Sequence, residues 1–139
     1  MEFCVITPDR IEELKDLQRQ YKSEIGENEP TDADFERLLA AMKAESITFF
    51  GCICDGNLVA CCSVSKTFST FCYALSGVME DVFILPAYRK HGILRQLVQY
   101  AFKSSKIGSM TVGCADCDRA MYEAIGFQIP LGNLLAYGE

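Results

Sequence analysis

Apolar residues recur at helical spacing in two stretches within the first third of the chain. Residues 7–9 read Thr-Pro-Asp, so a capping residue, a first-turn proline and an early acid precede the first stretch. A second helix is expected after Thr31, because Asp34 follows three residues later, as in a capping box. The apolar positions that define the two helices are Ile11, Leu14, Leu17 and Tyr21 in the first, and Phe35, Leu38, Leu39 and Met42 in the second.

Strand-like runs of β-branched, aromatic and cysteine residues follow a different pattern. Residues 3–7 predict a short first strand that precedes the helices. Residues 47–54 and 58–65 predict two further strands. Between them, residues 55–57 read Asp-Gly-Asn, which tolerate the positive φ of a tight turn. The pair is therefore expected to form an antiparallel hairpin.

A second strand-to-helix unit follows in the sequence. Residues 66–77 mix serine, threonine and aromatic side chains, and we interpret them as irregular. Residues 78–85 predict a strand, which Pro86 ends because proline cannot continue a hydrogen-bonded ladder. From Ile93 onwards apolar positions recur every three to five residues, which predicts a helix that ends near Gly108.

The remaining residues predict a shorter strand, helix and strand. Residues 110–114 form the strand, residues 118–125 a short helix with Gly126 as its left-handed cap, and residues 134–137 a last strand. The order of elements predicts an α/β (α+β) fold, in which helices flank a mixed sheet. A length of 139 residues fits one domain, so residues 1–139 are expected to hold any cofactor and any substrate together.

Composition narrows the class of protein. No apolar run approaches the roughly 20 residues of a membrane span, and the N-terminus lacks the features of a signal peptide, so we expect a soluble, cytoplasmic protein without membrane contacts. The net charge of −6 argues against nucleic-acid binding, which needs a basic surface.

The eight cysteines are expected to be reduced thiols, and most of them lie inside apolar strand-like runs, where they would serve as small buried apolar residues. Cys114 and Cys117 form one C-x-x-C pair, but a structural zinc site needs four ligands and the chain has a single histidine. No metal is therefore expected.

The segment between Pro86 and Leu97 has the properties of an anion site. Here a strand runs through a tight, glycine-containing loop directly into a helix, whose N-terminus carries unpaired N–H groups and a partial positive charge. Four cationic or potentially cationic side chains lie within seven positions of this loop. They are Arg89, Lys90, His91 and Arg95. An ordinary turn with solvated cations is the alternative interpretation of this pattern.

Two motifs resemble the GNAT superfamily of N-acetyltransferases. Residues 80–94, ending Arg-Lys-His-Gly-Ile-Leu, resemble the acyl-CoA signature Gln/Arg-x-x-Gly-x-Gly/Ala that follows a strand in this family. Residues 121–127, Met-Tyr-Glu-Ala-Ile-Gly-Phe, resemble the family's last helix, which commonly ends Tyr-Glu-x-x-Gly-Phe. The resemblance implies a mostly antiparallel central sheet flanked by helices. It further implies an N-acetyltransferase that uses acetyl-CoA and passes the acetyl group directly to a primary amine of a small molecule or a protein.

The resemblance also implies roles for individual residues. Backbone groups of Val82, Phe83 and Ile84 would pair with the pantetheine arm, and the diphosphate loop would hold the cofactor's anionic end. That loop comprises Arg89, Lys90, His91, Gly92, Ile93, Leu94 and Arg95, with His91 as an anion contact or an exposed side chain. Tyr122 would protonate the departing thiolate, and Glu80 would accept the proton of the acceptor amine. Strand alternation places Glu80 and Asp81 on opposite faces, so that only one of them can face the cleft.

The sequence departs from the family pattern at two places. Leu94 stands where glycine or alanine is usual, and residues 114–118 lack the asparagine that often precedes the last helix. These departures predict weaker cofactor binding and leave an alternative open, a non-catalytic member of the fold that binds acyl-CoA as a sensor or packs against a partner. The sequence does not identify the acceptor. It leaves the oligomeric state open as well, although homodimers are common among small domains.

Overall fold

Five strands form one mixed sheet in the computed structural model, which describes residues 1–138. The strands lie in chain order across the sheet, and the first four pair with one another in antiparallel orientation. The fifth runs parallel to the fourth. Their bounds are β1 Glu2–Val5, β2 Thr48–Cys54, β3 Asn57–Ser69, β4 Ala74–Ile84 and β5 Ser109–Val112. The prediction of a mixed, mostly antiparallel sheet in an α/β fold is confirmed.

Four α-helices accompany the sheet among the described residues: α1 Ile11–Glu24, α2 Asp32–Lys43, α3 Ile93–Ser105 and α4 Arg119–Ala124. The capping box at α2 is confirmed, because the Asp34 N–H donates to Thr31 Oγ1 at 3.2 Å and the Thr31 N–H donates to Asp34 Oδ2 at 2.8 Å. Thr7 instead precedes a short 3-10 turn and caps no backbone group with its side chain. Its hydroxyl donates to Asp9.

The sheet separates two apolar clusters. On one face α1 packs against a cluster that contains Leu14, Leu17, Phe49, Cys61 and Phe83. On the other face α3 packs against a cluster that contains Phe50, Cys62, Met79, Leu97 and Ala101. Adjacent residues such as Phe49 and Phe50 enter opposite clusters because successive side chains of a strand point to opposite faces.

Two predictions about strands were wrong. Residues 66–77 are not irregular, because β3 and β4 continue as a paired ladder as far as Ser69 and Ala74. This outer part of the hairpin lies beyond the helices and exposes Phe68, so its sequence lacks the apolar alternation of a covered strand. Residues 134–137 form no strand in the described part of the chain. An apolar run becomes a strand only where a sheet edge pairs with it, and here Leu134 and Leu135 are exposed instead.

The strands β4 and β5 part midway along β4. Their parallel pairing runs from Ser76 and Ser109 to Met79 and Val112, and β4 then continues to Ile84 without β5 as its neighbour. One residue further on, directly after Glu80, the ladder with β3 shifts register. The opening between the two strands, together with this irregularity, positions the candidate site.

Candidate active site

A β-bulge in β4 lies beside the opening between β4 and β5. Ser63 pairs with Glu80 and Cys61 with Phe83, so two residues of β4, Asp81 and Val82, stand opposite Cys62 alone. Asp81 has a φ of 53°, in the left-handed region that residues other than glycine seldom adopt. The bulge therefore redirects the strand at the point where it leaves β5.

The backbone of β4 beyond the bulge is accessible on one side. The Leu85 N–H donates to the Val59 carbonyl at 2.9 Å, so by the alternation of the antiparallel ladder Phe83 also turns its backbone groups towards β3. Val82 and Ile84 then turn theirs towards the opening. Of the three residues predicted to pair with pantetheine, these two have the suitable orientation, and Phe83 does not. The Ile84 carbonyl already accepts from Arg89 Nε at 2.9 Å.

The loop that leads into α3 presents a run of free N–H groups. Lys90 and Gly92 have left-handed backbones, with φ of 64° and 80°. The first backbone bond of the helix runs from the Gln96 N–H to the Gly92 carbonyl at 3.3 Å. None of the six N–H groups from Lys90 to Arg95 donates a hydrogen bond within residues 1–138. Six consecutive free donors at a helix N-terminus form a binding site suited to a phosphate or diphosphate.

The four cationic or potentially cationic side chains of this loop differ in their surroundings: two are bonded to other parts of the fold and two are exposed. Arg89 forms a two-point ion pair with Glu24 at the end of α1, with Nη1–Oε1 at 2.8 Å and Nη2–Oε2 at 3.0 Å. Arg95 Nη2 donates to the Ala124 carbonyl at the end of α4, at 2.7 Å. The guanidinium groups of these two predicted anion contacts therefore join elements of the fold. Lys90 and His91 are exposed and form no ion pair with any of residues 1–138.

Leu94 occupies the position where the family pattern has a small residue. Its side chain is half-buried and packs against the cluster under α3, next to the fully buried Ile93. Packing against this cluster directs at least part of the side chain into the protein. The bulk of Leu94, from which weaker cofactor binding was predicted, is therefore at least partly directed away from the loop backbone.

Tyr122 lies half-buried on α4, with its ring edge-on to Phe127 at a centroid separation of 5.8 Å. Burial raises the pKa of its phenol to about 12. The neighbouring titratable groups that act in the same direction are Asp118, Tyr21, Cys114 and Cys62. Since these neighbours belong to α1, β3 and the segment after β5, Tyr122 lies where those elements converge. At neutral pH it holds its proton and can act as a donor.

Groups of α1 and β4 form the opposite side of the site. The Tyr21 ring stands edge-on to Phe83, with centroids 6.3 Å apart, and Gln18 Nε2 donates to Asp81 Oδ2 at 3.4 Å. Burial raises the pKa of the Tyr21 phenol, and the charge of Asp81 and, more weakly, that of Glu80 raise it further. Both carboxylates therefore act on the same phenol. The contact with Gln18 places the Asp81 carboxylate on the α1 side, and the positive φ of Asp81 interrupts the regular alternation from which opposite faces were expected for Glu80 and Asp81.

Sequence reasoning missed Gln18 and Tyr21 as site residues. Both occupy the apolar stripe of α1, in register with Leu14 and Leu17. A glutamine that is buried on an apolar helix face is itself a signal, because its amide needs a polar partner. That signal could have identified Gln18, although the partner could not have been named from the sequence.

A groove of about 660 Å³ lies between α1 and α2 and reaches the same region. Its walls combine amide, carboxylate and ammonium groups with three apolar side chains. The lining residues are Gln18, Lys22, Gly26, Glu27, Asn28, Pro30, Asp34, Phe35 and Leu38. Gln18 thus lines the groove and also contacts Asp81 at the bulge.

No cluster of three or more histidine, cysteine, aspartate or glutamate side chains suited to a metal ion occurs among residues 1–138. Within the same range, none of the helices combines the length and apolar character needed to cross a membrane.

The model of the GNAT acetyltransferase domain matches residues 45–129, which is more than half of the chain. No curated protein matches the chain significantly. Several solved structures share its fold. An AAC(6')-Iy structure in complex with a bisubstrate analogue, CoA-S-monomethyl-acetylneamine, has a TM-score of 0.81 at 18% identity, covering 99% of this chain and 97% of that one.

Two other solved structures illustrate the range of relatives. Glucosamine-6-phosphate N-acetyltransferase from Arabidopsis thaliana has a TM-score of 0.75 at 16% identity, with both chains fully covered. An aminoglycoside acetyltransferase from an uncultured soil metagenomic sample, in complex with sisomicin, has a TM-score of 0.83 at 10% identity, covering 99% of this chain and 95% of that one. At these identities the likeness establishes a shared fold.

Proposed function

We propose, from the premise that the chain belongs to the GNAT family of acetyltransferases, that it transfers the acetyl group of acetyl-CoA directly to a primary amine. The acceptor would be a small molecule or an amino group of a protein. The eight free thiols suit a reducing compartment, so we place the activity in the cytoplasm.

The observation that carries this proposal is the run of free N–H groups from Lys90 to Arg95. It lies at the N-terminus of α3, next to the exposed side chains of Lys90 and His91. A diphosphate has the charge and the acceptor oxygens to satisfy these donors. The accessible backbone of Val82 and Ile84 lies at the end of β4, just before this loop. It suits the amides of a pantetheine arm, which can pair with a strand as a peptide does. The residues present therefore fit acetyl-CoA.

The chemistry that this site supports is direct acyl transfer. Acetyl-CoA supplies a thioester carbon that a neutral amine can attack, and the carboxylates at the bulge can accept the proton that the amine must lose. Tyr122, which burial keeps protonated, can donate a proton to the departing sulfur. No metal is required for any of these steps.

The acceptor class is supported by relatives. The names of the similar structures include an aminoglycoside and glucosamine 6-phosphate, both of which carry primary amines. The groove between α1 and α2 offers hydrogen-bond donors and acceptors together with Phe35 and Leu38, a lining that suits a polar molecule with an amine at one end.

The proposal is tested by measuring binding and transfer separately. Acetyl-CoA is titrated calorimetrically into the protein, with and without a chelator, and acetylated products are then sought with glucosamine 6-phosphate, an aminoglycoside, spermidine and a lysine peptide. We expect chelator-independent binding and transfer to at least one of these amines. Binding without transfer to any amine would favour the non-catalytic acyl-CoA-binding alternative. Absence of binding would refute the proposal.

A further inference from the structure

The bulge in β4 is held from the β3 side by two side chains. Because the ladder is interrupted at Asp81 and Val82, nearby carbonyls lose their usual strand partners. The Glu80 carbonyl accepts from Ser63 Oγ at 3.2 Å, and the Asp81 carbonyl accepts from Cys61 Sγ at 3.8 Å. Both donors are buried, with 1% and 0% exposure. A left-handed aspartate is energetically costly and persists only where its surroundings fix it, which is often at a functional site.

The Asp81 carboxylate is held from the α1 side by Gln18. Gln18 is only 6% exposed, on the face of α1 that packs against the sheet. Its one side-chain hydrogen bond within residues 1–138 is the bond from Nε2 to Asp81 Oδ2. Gln18 also lines the groove between α1 and α2. One buried amide therefore connects the groove with the half-buried carboxylate.

We infer that Asp81 is the carboxylate that binds the acceptor amine and removes its proton, and that Gln18 is the positioning residue that orients it. The inference rests on the proposed acetyl transfer. The acceptor ammonium transfers one proton to Asp81, its nitrogen lone pair forms the C–N bond with the thioester carbon, and the C–S bond breaks. The thiolate takes its proton from Tyr122, and the new amide nitrogen gives its second proton to the resulting tyrosinate. The products are the neutral amide, free CoA and protonated Asp81, so charges and protons balance.

Asp81 has a fixed position, and its neighbour Glu80 does not. Glu80 is exposed, and its carboxylate makes no hydrogen bond or ion pair within residues 1–138. A carboxylate that must receive an amine in one orientation benefits from a buried partner that locks its rotamer. The titratable groups that face Asp81 are Tyr21 and Lys22 from α1, Cys61 from β3 and Glu80 from its own strand. Lys22 is already bonded to Glu27 at 3.0 Å, so it does not neutralise Asp81 directly.

Asp81→Asn isolates the charge of this side chain. Asparagine tolerates a left-handed backbone and can still accept from Gln18, so the bulge should survive. Asp55→Asn is the matched control, because Asp55 has the same left-handed backbone, with a φ of 51°, in an exposed hairpin turn. With the amine that the wild type acetylates best, kcat/KM for Asp81→Asn should fall about 10²-fold at pH 7. The deficit should shrink near the pKa of that amine, which then arrives uncharged.

Gln18→Leu tests the positioning role. It should lower kcat/KM for the acceptor about tenfold and leave the KM for acetyl-CoA unchanged. Combined with Asp81→Asn it should add no further loss, because the two residues act through one interaction. A purely structural role for Gln18 would instead give additive losses.

The inference and the proposed function fail in different ways. A wild-type protein that acetylates no amine would overturn both. An active wild type in which Asp81→Asn behaves like Asp55→Asn would overturn the inference alone. The same conclusion follows if Glu80→Gln loses more activity than Asp81→Asn, since the proton would then pass to Glu80.

Discussion

The substitution Tyr122→Phe tests the assignment of the proton donor. It removes one oxygen and retains the ring, so the edge-on contact with Phe127 at 5.8 Å should persist. The acetyl-CoA affinity and the thermal midpoint are therefore expected to stay close to those of the wild type.

The expected loss of turnover in Tyr122→Phe follows from the protonation state of the Tyr122 phenol. With its pKa raised to about 12, only about one molecule in 10⁵ has lost the proton at pH 7, so nearly every enzyme molecule can donate. Losing a positioned general acid lowers turnover on the order of 10²-fold, or about 2.7 kcal/mol of transition-state stabilisation.

The assay should quantify CoA and acetylated product by chromatography. Three exposed thiols, Cys72, Cys114 and Cys117, would react with a colorimetric thiol reagent and obscure slow turnover. Tyr100→Phe is the matched control, because Tyr100 is also half-buried on a helix and stands edge-on to Phe50 at 6.0 Å. If Tyr122→Phe keeps wild-type turnover while chemistry limits the rate, Tyr122 is a packing residue and the proton comes from water.

Two predictions concern stability. Gly77→Ala should lower the free energy of unfolding by about 1 kcal/mol, because the added Cβ would lie 2.5 Å from Ile107 Cδ1 and 2.9 Å from Val64 Cγ1. Gly108→Ala meets its nearest atom only at 4.0 Å, and equal denaturation midpoints for both variants would contradict the packing argument. Burial raises the pKa of Cys62 to about 12, so between pH 9 and 12 the unfolded chain binds fewer protons than the folded one, and stability falls as pH rises. Under reducing conditions Cys62→Ala should reduce the fall in the free energy of unfolding over this pH range by about 1.4 kcal/mol per pH unit. An unchanged pH dependence would show that this thiol is not protected by burial.

Local signals in the sequence predicted local structure well. The capping box of Thr31 and Asp34 involves residues three positions apart, and the Asp55-Gly56-Asn57 turn forms within one hairpin. The strand that ends at Pro86 and the helix that begins at Ile93 were likewise found from neighbouring residues. Each of these features depends on interactions that the adjacent sequence contains.

Features that depend on distant residues could not be predicted in this way. Gln18 and Asp81 lie 63 positions apart, and Glu24 and Arg89 lie 65 apart, so no local pattern shows that they are partners. For the same reason Arg89 was assigned to an anion whereas its charge is paired within the fold. The bulge depends on the register between β3 and β4, which the alternation of β4 alone does not contain.

The acetyl-CoA affinity of Gly92→Asp tests the central claim most directly. Gly92 has a φ of 80°, and an added Cβ would meet only Gln96 Nε2 at 3.7 Å, so the loop has room for a side chain. Aspartate and asparagine both tolerate this backbone, and Gly92→Asn therefore separates the effect of charge from that of size. We predict by calorimetry at least a tenfold weaker Kd for Gly92→Asp, a smaller effect for Gly92→Asn and little change for His91→Ala. Wild-type affinity in Gly92→Asp, or a greater loss in His91→Ala, would mean that the loop from Lys90 to Arg95 does not hold the diphosphate.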